Sequence, residues 1–371
     1  PDGDAHTITF DPALTADGDA RVVLSIAAEP NSALVNTDKI DIVGPGGNHG
    51  ITIGRDAAAE EMRLLFNKAG GELGLSNLTL ADGVANTNGG AIRNDSVLQV
   101  HNATFRDNRG QNVNTGLAGG GAIFNRTNSA DLLLVNTTFS NNQVLAADGQ
   151  AEGGAIKNLS GKVAIVGSTF SANGVQGTSG TFGGAIISYG TDASLTLDSS
   201  IVADSDNGVT DLIVVQEFIS HGNNLIESIA GGSAGAVLAS DIVGVDPQLR
   251  ELADYGGPTD TIALGLNSPA IDRLQSYVDT VQADQPIVYY RFEDTAGATT
   301  AVNFGSLGSA ADGSYVGGVG FAPSAVPALG SALQLNGTDA YIDVPAYGTF
   351  PQATVETWLN FSQLAGGCCT S

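Results

Sequence analysis

Four copies of Gly-Gly-Ala-Ile stand in the middle of the chain, at Gly89–Ile92, Gly120–Ile123, Gly153–Ile156 and Gly183–Ile186, spaced by 31, 33 and 30 residues. A repeat of that length restricts a chain to solenoids, propellers and arrays, in which each unit buries its apolar face only by stacking on the next. Asn follows two places after Ile at Asn94, Asn125 and Asn158, with Ser188 in the fourth copy. A second block follows each copy: Asn102-Ala-Thr-Phe105, Asn136-Thr-Thr-Phe139, Gly167-Ser-Thr-Phe170 and Asp198-Ser-Ser-Ile201. Three residues further on come Asn108, Asn142, Asn173 and Asp204, and Asn77-Leu-Thr-Leu80 with Gly83 is a weaker early copy.

Strand geometry turns this spacing into a structure. Side chains alternate along a strand, so if Ile92 faces inward then Asn94 does too, while Ala91 and Arg93 face out. Stacked coils lie about 4.8 Å apart, which sets Ile on Ile and Phe on Phe. Asn on Asn lets the buried amides pair with one another and with turn backbone. Leu73–Leu75, Leu98–Val100 and Val163–Ile165 read as strands ahead of the second block; Leu195 and Leu197 fall one residue out of step, which predicts a local bulge. Thr7–Phe10, Val22–Ile26, Ile40–Val43, Ile51–Ile53 and Leu64–Phe66 read as the first coils, with an N-terminal cap over residues 1–30 because an open end must be covered. The inserts Gly110–Ala118 and Leu145–Glu152 are expected as loops. A propeller needs about four strands in roughly 40–50 residues. Two or three short strands per repeat favour an all-β, right-handed, single-stranded parallel β-helix over residues 1–272, with repeats over 89–205 and a closing segment over 206–272.

Composition narrows function. Acidic residues outnumber basic ones 39 to 14, for a formal net charge of −25. Such a surface repels nucleic acid and anionic lipid and suits cation binding. No run is long enough to span a membrane, so direct insertion is not expected. The two cysteines, Cys368 and Cys369, provide no disulfide framework for the body.

These residues resemble the bacterial polymorphic-outer-membrane-protein type of β-helix repeat, whose signature is Gly-Gly-Ala-Ile-x-Asn followed by a Thr-Phe-x-x-Asn block, over roughly residues 75–205. The stretch holding Gly222-Asn-Asn-Leu-Ile226, Asp241–Leu249, Leu252–Thr259 and Asn267-Ser-Pro-Ala-Ile-Asp272 resembles the choice-of-anchor Q segment of exported bacterial proteins, which implies export to the cell surface. Beyond a linker over 273–285, Tyr277–Glu293, Ala332–Gly337, Tyr341–Pro345 and Thr354–Trp358 resemble the entry to a concanavalin A-like, laminin-G-like jelly roll. That implies an incomplete antiparallel domain over 286–371, with Tyr341 and Trp358 in its core.

The candidate chemistry is sparse. Gly231-Gly-Ser-Ala-Gly235 fits a nucleophile-elbow pattern around Ser233, but the hydrolase version needs a later His, and His6, His49, His101 and His221 all precede it. A flexible loop is the reading taken. Asp204-Ser-Asp206-Asn-Gly208 with Asp211 resembles a calcium loop, so Asp204, Asp206 and Asp211 are the candidate metal ligands, although Gly208 stands where an EF-hand has its fifth-position ligand. Of the Asn-x-Ser/Thr sites at Asn77, Asn102, Asn125, Asn136, Asn158 and Asn336, three sit in the repeat column, where Asn-x-Thr is structural, and the bacterial resemblance implies that the sites carry no glycan. Parallel β-helices also carry polysaccharide lyases, which need an outward base. The outward row Arg93, Phe124, Lys157, Ile187 supplies two cations about 10 Å apart, two coil spacings, and they are expected as solvated side chains. The resulting expectation is a monomeric, exported scaffold without catalysis that contacts extracellular glycans or surface proteins, with calcium as a cofactor candidate. The alternative is a polysaccharide-degrading enzyme using the β-helix groove.

Overall fold

The structure is a computed structural model that describes residues 5–86, 88–232, 236–271, 281–282, 284–292, 294, 297–323, 331–346 and 348. Two compact units divide the chain, Pro1–Leu274 and Gln275–Ser371.

The first unit is a parallel β-solenoid. An eight-stranded sheet runs through its coils, and Ile92–Asn94 lies between Arg63–Asn67 and Ile123–Asn125 in parallel. Ile92, Ile123, Ile156 and Ile186 stack in register, as the repeat predicts, and all are fully buried. Beside them runs an amide ladder: Asn36 donates to Asn67 at 2.9 Å, Asn67 to Asn94 at 2.8 Å, Asn94 to Asn125 at 2.8 Å, Asn125 to Asn158 at 3.0 Å, and Asn158 to the Ser188 hydroxyl at 3.0 Å. Most of these amides also donate to turn carbonyls, as Asn94 does to Ser96 at 2.8 Å, so the buried polar groups are paired. Asn36 and Asn67 extend the ladder two coils beyond the repeat.

A fifteen-stranded sheet holds the second block. Phe105, Phe139 and Phe170 stack with centroids 4.8 and 4.5 Å apart and planes within 5°. The corners explain the block's first residue. Asn77, Asn102, Asn136, Gly167, Ser199 and Asn223 all have φ between 48° and 57°, the left-handed region that Asn and Gly enter most readily. The fourth copy therefore begins at Ser199, not Asp198. Val202, not Ile201, continues the Phe column, and Leu195 and Leu197 lie in plain register with Val163 and Ile165. The expected bulge is absent there. A register shift occurs instead where Leu197 and Asp198 meet the next coil, Glu217–Gly222.

Within the expected cap, Ala5–Thr9 and Ala20–Leu24 are coil strands, pairing in parallel with Lys39–Val43 and Ile51–Arg55. At the far end the chain doubles back as an antiparallel hairpin, Leu249–Ala253 with Thr261–Leu264. It crosses an outward row of threonines, Thr52, Thr79, Thr104 and Thr138, that stack in register. The Thr104 hydroxyl donates to the Asp260 carbonyl at 2.5 Å, and the Thr138 and Thr261 hydroxyls lie 3.2 Å apart. At Gly50 a Cβ would sit 1.8 Å from the Pro258 carbonyl oxygen, so only glycine admits the hairpin there. This strap buries Thr104 and Thr138 although both face outward.

In the second unit the described strands pair antiparallel: Thr300–Ala301 with Gly313–Val316, Gly313–Val316 with Tyr341–Asp343, and Gly320–Pro323 with Ser331–Gln334. Tyr315 packs edge-on against Phe321, centroids 5.4 Å apart, and its hydroxyl donates to Asp294 at 2.6 Å. Tyr341, expected in a core, is 52% exposed; it opens Tyr341–Asp343, the edge strand of its three-stranded sheet. Thr354–Trp358, Cys368 and Cys369 lie outside the described residues.

Candidate functional site

The outer face of the eight-stranded sheet carries the row Phe66, Arg93, Phe124, Lys157, Ile187 in register. Arg93 lies over the Phe66 ring, 4.4 Å from its centroid, and reaches sideways to Asp95 with Nε at 3.2 Å and Nη2 at 3.0 Å. Arg126, one coil on, grips the same carboxylate with Nε and Nη2, each at 2.8 Å. Two bidentate guanidiniums thus close on one carboxylate that is almost wholly buried. Burial pushes the Asp95 carboxyl up, and hydrogen bonds and charge from Arg126 and Arg93 outweigh it, leaving the group below the ordinary carboxylate range. A carboxyl with a lowered folded pKa contributes stability above its unfolded value and loses it as pH falls through the folded one. Asp95→Asn should therefore flatten the loss of stability below about pH 4, as read from urea midpoints across that range.

Lys157 contradicts its expected solvation. It is 1% exposed, because the inserts are not loops. Arg109–Thr115, Gln143–Asp148 and Gly174–Gly177 stack as one small sheet, and Ala118–Gly119, Gln150–Glu152 and Gly180–Phe182 as another. Ala118, Val144, Ala146, Ala151 and Val175 form a satellite core between them. This side wall supplies the surroundings of Lys157. The ammonium lies 3.0 Å from Glu152 Oε2 and 3.4 Å from Asn88 Oδ1. Phe124 and Tyr189 flank it with centroids at 5.4 and 5.8 Å. The Tyr189 hydroxyl donates to Glu152 Oε2 at 2.9 Å. Burial holds the Lys157 amine below the ordinary lysine range, against the opposing pull of Glu152, and burial with the same carboxylate pushes Tyr189 up.

Two of these partners, Asn88 and Glu152, lie outside the Gly-Gly-Ala-Ile motif, with Gly119 between them. Asn88, Gly119 and Glu152 stand in one register column, each immediately before a Gly-Gly pair, and that shared position is the signal that could have found them. Gly119 is essential to the geometry. A Cβ there would lie 2.3 Å from Lys157 Cδ, so the lysine stem runs through the space that a side chain would fill.

The other acidic candidates each have donors of their own. Asp204 accepts from the Ser171 hydroxyl at 2.8 Å and Asp206 from Gln143 at 2.6 Å, while Asp211 accepts from the Ser205 amide at 2.9 Å and from the Ser228 hydroxyl. Among the described residues no group of three His, Cys, Asp or Glu side chains is placed to hold a metal ion. Ser233 lies outside the described residues. Asn77, Asn102 and Asn136 form an outer ladder, with Asn102 donating to Asn77 at 3.3 Å and Asn136 to Asn102 at 2.8 Å. Asn125 and Asn158 are buried in the inner ladder. Among the described residues no helix is long and apolar enough to cross a membrane. No protein-family model matches the chain, no curated protein matches it, and no solved structure does.

Proposed function

We propose that the chain is a non-catalytic scaffold displayed outside a bacterial cell, with its solenoid as an adhesive or structural face and its second unit as a glycan-binding module. The state of the two lyase candidates carries this reading. A base that takes a proton from a polysaccharide must come within hydrogen-bond reach of it. Lys157 is 1% exposed and Arg93 is committed to Asp95 and Phe66. The net charge of −25 argues against nucleic acid and anionic lipid as partners and favours extracellular glycans or surface proteins, with calcium bridging acidic groups on both sides. A regular face offers many weak contacts that act together.

A glycan array run with and without calcium, beside an assay for unsaturated uronate products on pectate and alginate, tests the proposal. Binding that weakens with a chelator and no product formation are the expected results. Turnover that disappears in Arg93→Ala would move the protein to the polysaccharide-degrading class.

A further inference from the structure

We infer that Lys157 and Asn88 are the reactants of an intramolecular amide bond, a covalent tie across three coils formed with Glu152 as proton carrier. The inference stands on the side wall's geometry and is independent of the function proposed above.

Three requirements of that chemistry meet at one place. The nucleophile must be an amine kept from water, and Lys157 is 1% exposed, with its nitrogen between the rings of Phe124 and Tyr189. The electrophile must be a carboxamide within contact distance, and Asn88 Oδ1 lies 3.4 Å from Nζ. A base must touch the amine before attack and then deliver a proton to the leaving group; Glu152 Oε2, held by the Tyr189 hydroxyl at 2.9 Å, is 3.0 Å from Nζ. Register makes the meeting possible. Asn88, Gly119 and Glu152 occupy three consecutive positions across the side wall, and the bare Gly119 lets the lysine stem pass between the other two. Burial that favours the neutral amine supports the same step.

The step balances without oxidant or co-reactant. The Lys157 ammonium gives one proton to the Glu152 carboxylate, and the freed Nζ lone pair attacks Asn88 Cγ. As the tetrahedral centre collapses, Glu152 gives its proton to Nδ2 and takes a second one from Nζ, the Cγ–Nδ2 bond breaks, and Nδ2 leaves as ammonia, carrying its own two protons and the one relayed. The proton left on Glu152 passes to the ammonia, giving ammonium and restoring the carboxylate. The product is a secondary amide between Lys157 and Asn88.

Intact mass spectrometry of the full chain, denatured and reduced, reads the reaction directly. The expected mass is one ammonia, about 17 Da, below that of the sequence. After trypsin, residues 69–93 should appear joined to residues 127–162, with no cleavage at Lys157. Lys157→Arg, Glu152→Gln and Asn88→Ala should each restore the full mass and separate the two peptides. Asn88→Ala is the mildest of the three, since Asn88 is only half-buried. A wild-type chain at its full sequence mass overturns the inference. So does a mass loss that persists in Lys157→Arg, which would place the lost ammonia in a succinimide such as the Asn88–Gly89 step can form.

Discussion

Phe139→Ala should lower the unfolding free energy by about 3–5 kcal/mol, measured as a shift in urea midpoint at unchanged slope. Phe139 is fully buried between two other rings, 4.8 Å from Phe105 and 4.5 Å from Phe170. The rings above and below sit on backbone that is fixed by parallel pairing on both sides, Phe105↔Phe139 and Phe139↔Phe170. The neighbours therefore cannot close the gap, and the cost includes a cavity as well as the lost transfer free energy. Val135, four residues earlier, points to the half-buried outer face, and Val135→Ala should cost well under half as much. Equal effects from the two substitutions would count against an internal stack.

Asn125→Leu should destabilise by about 2–4 kcal/mol although it adds apolar surface to a core, because each buried polar group left unpaired costs roughly 1–3 kcal/mol. Its amide donates to Asn158 and to the Ala130 and Ser160 carbonyls at 3.0, 3.0 and 3.2 Å, and its carbonyl accepts from Asn94. Leucine removes all of these at once. The ladder's own end gives the contrast: Ser188 is followed in register by Val214, so an apolar residue is accepted where only one side of the rung has a polar neighbour. Ser188→Val should accordingly be milder than Asn125→Leu, and thermal melts of both variants check the order.

What the sequence made legible was whatever recurs at a fixed place. Ile92, Asn94 and Phe105 each return in later coils, so a single geometric rule placed whole columns. Asn36 and Asn67 obey that rule but lack the Gly-Gly-Ala-Ile frame, so only an apolar residue two places before each, Leu34 and Leu65, marks them. The misplaced fourth block has a different cause. Asp198, Ser199 and Ser200 are all acceptable turn residues, and only backbone angles single out Ser199. The largest miss lies at Lys157. Period-two reasoning put it on the outer face correctly, but whether an outer face meets water depends on inserts of unequal length, which carry no repeat signal. Their strands pair with one another rather than with the main sheets, so the trace of the wall that encloses Lys157 shrinks to the residue before each Gly-Gly pair, Asn88, Gly119 and Glu152.

The strap has a consequence for how the solenoid comes apart and how it is completed. Coils that touch only their neighbours behave as a one-dimensional array, in which terminal units fray at little cost to the rest. The hairpin contacts Gly50, Thr104 and Thr138, whose strands belong to the second, fourth and fifth coils. Those coils can no longer open one at a time, because each opening also has to release a segment that the others hold. Amide exchange should then be lost from them as a block. Residues 249–264 also leave the ribosome after all the coils they hold. The array grows coil by coil without that restraint, and its cooperativity arrives only with the final hairpin.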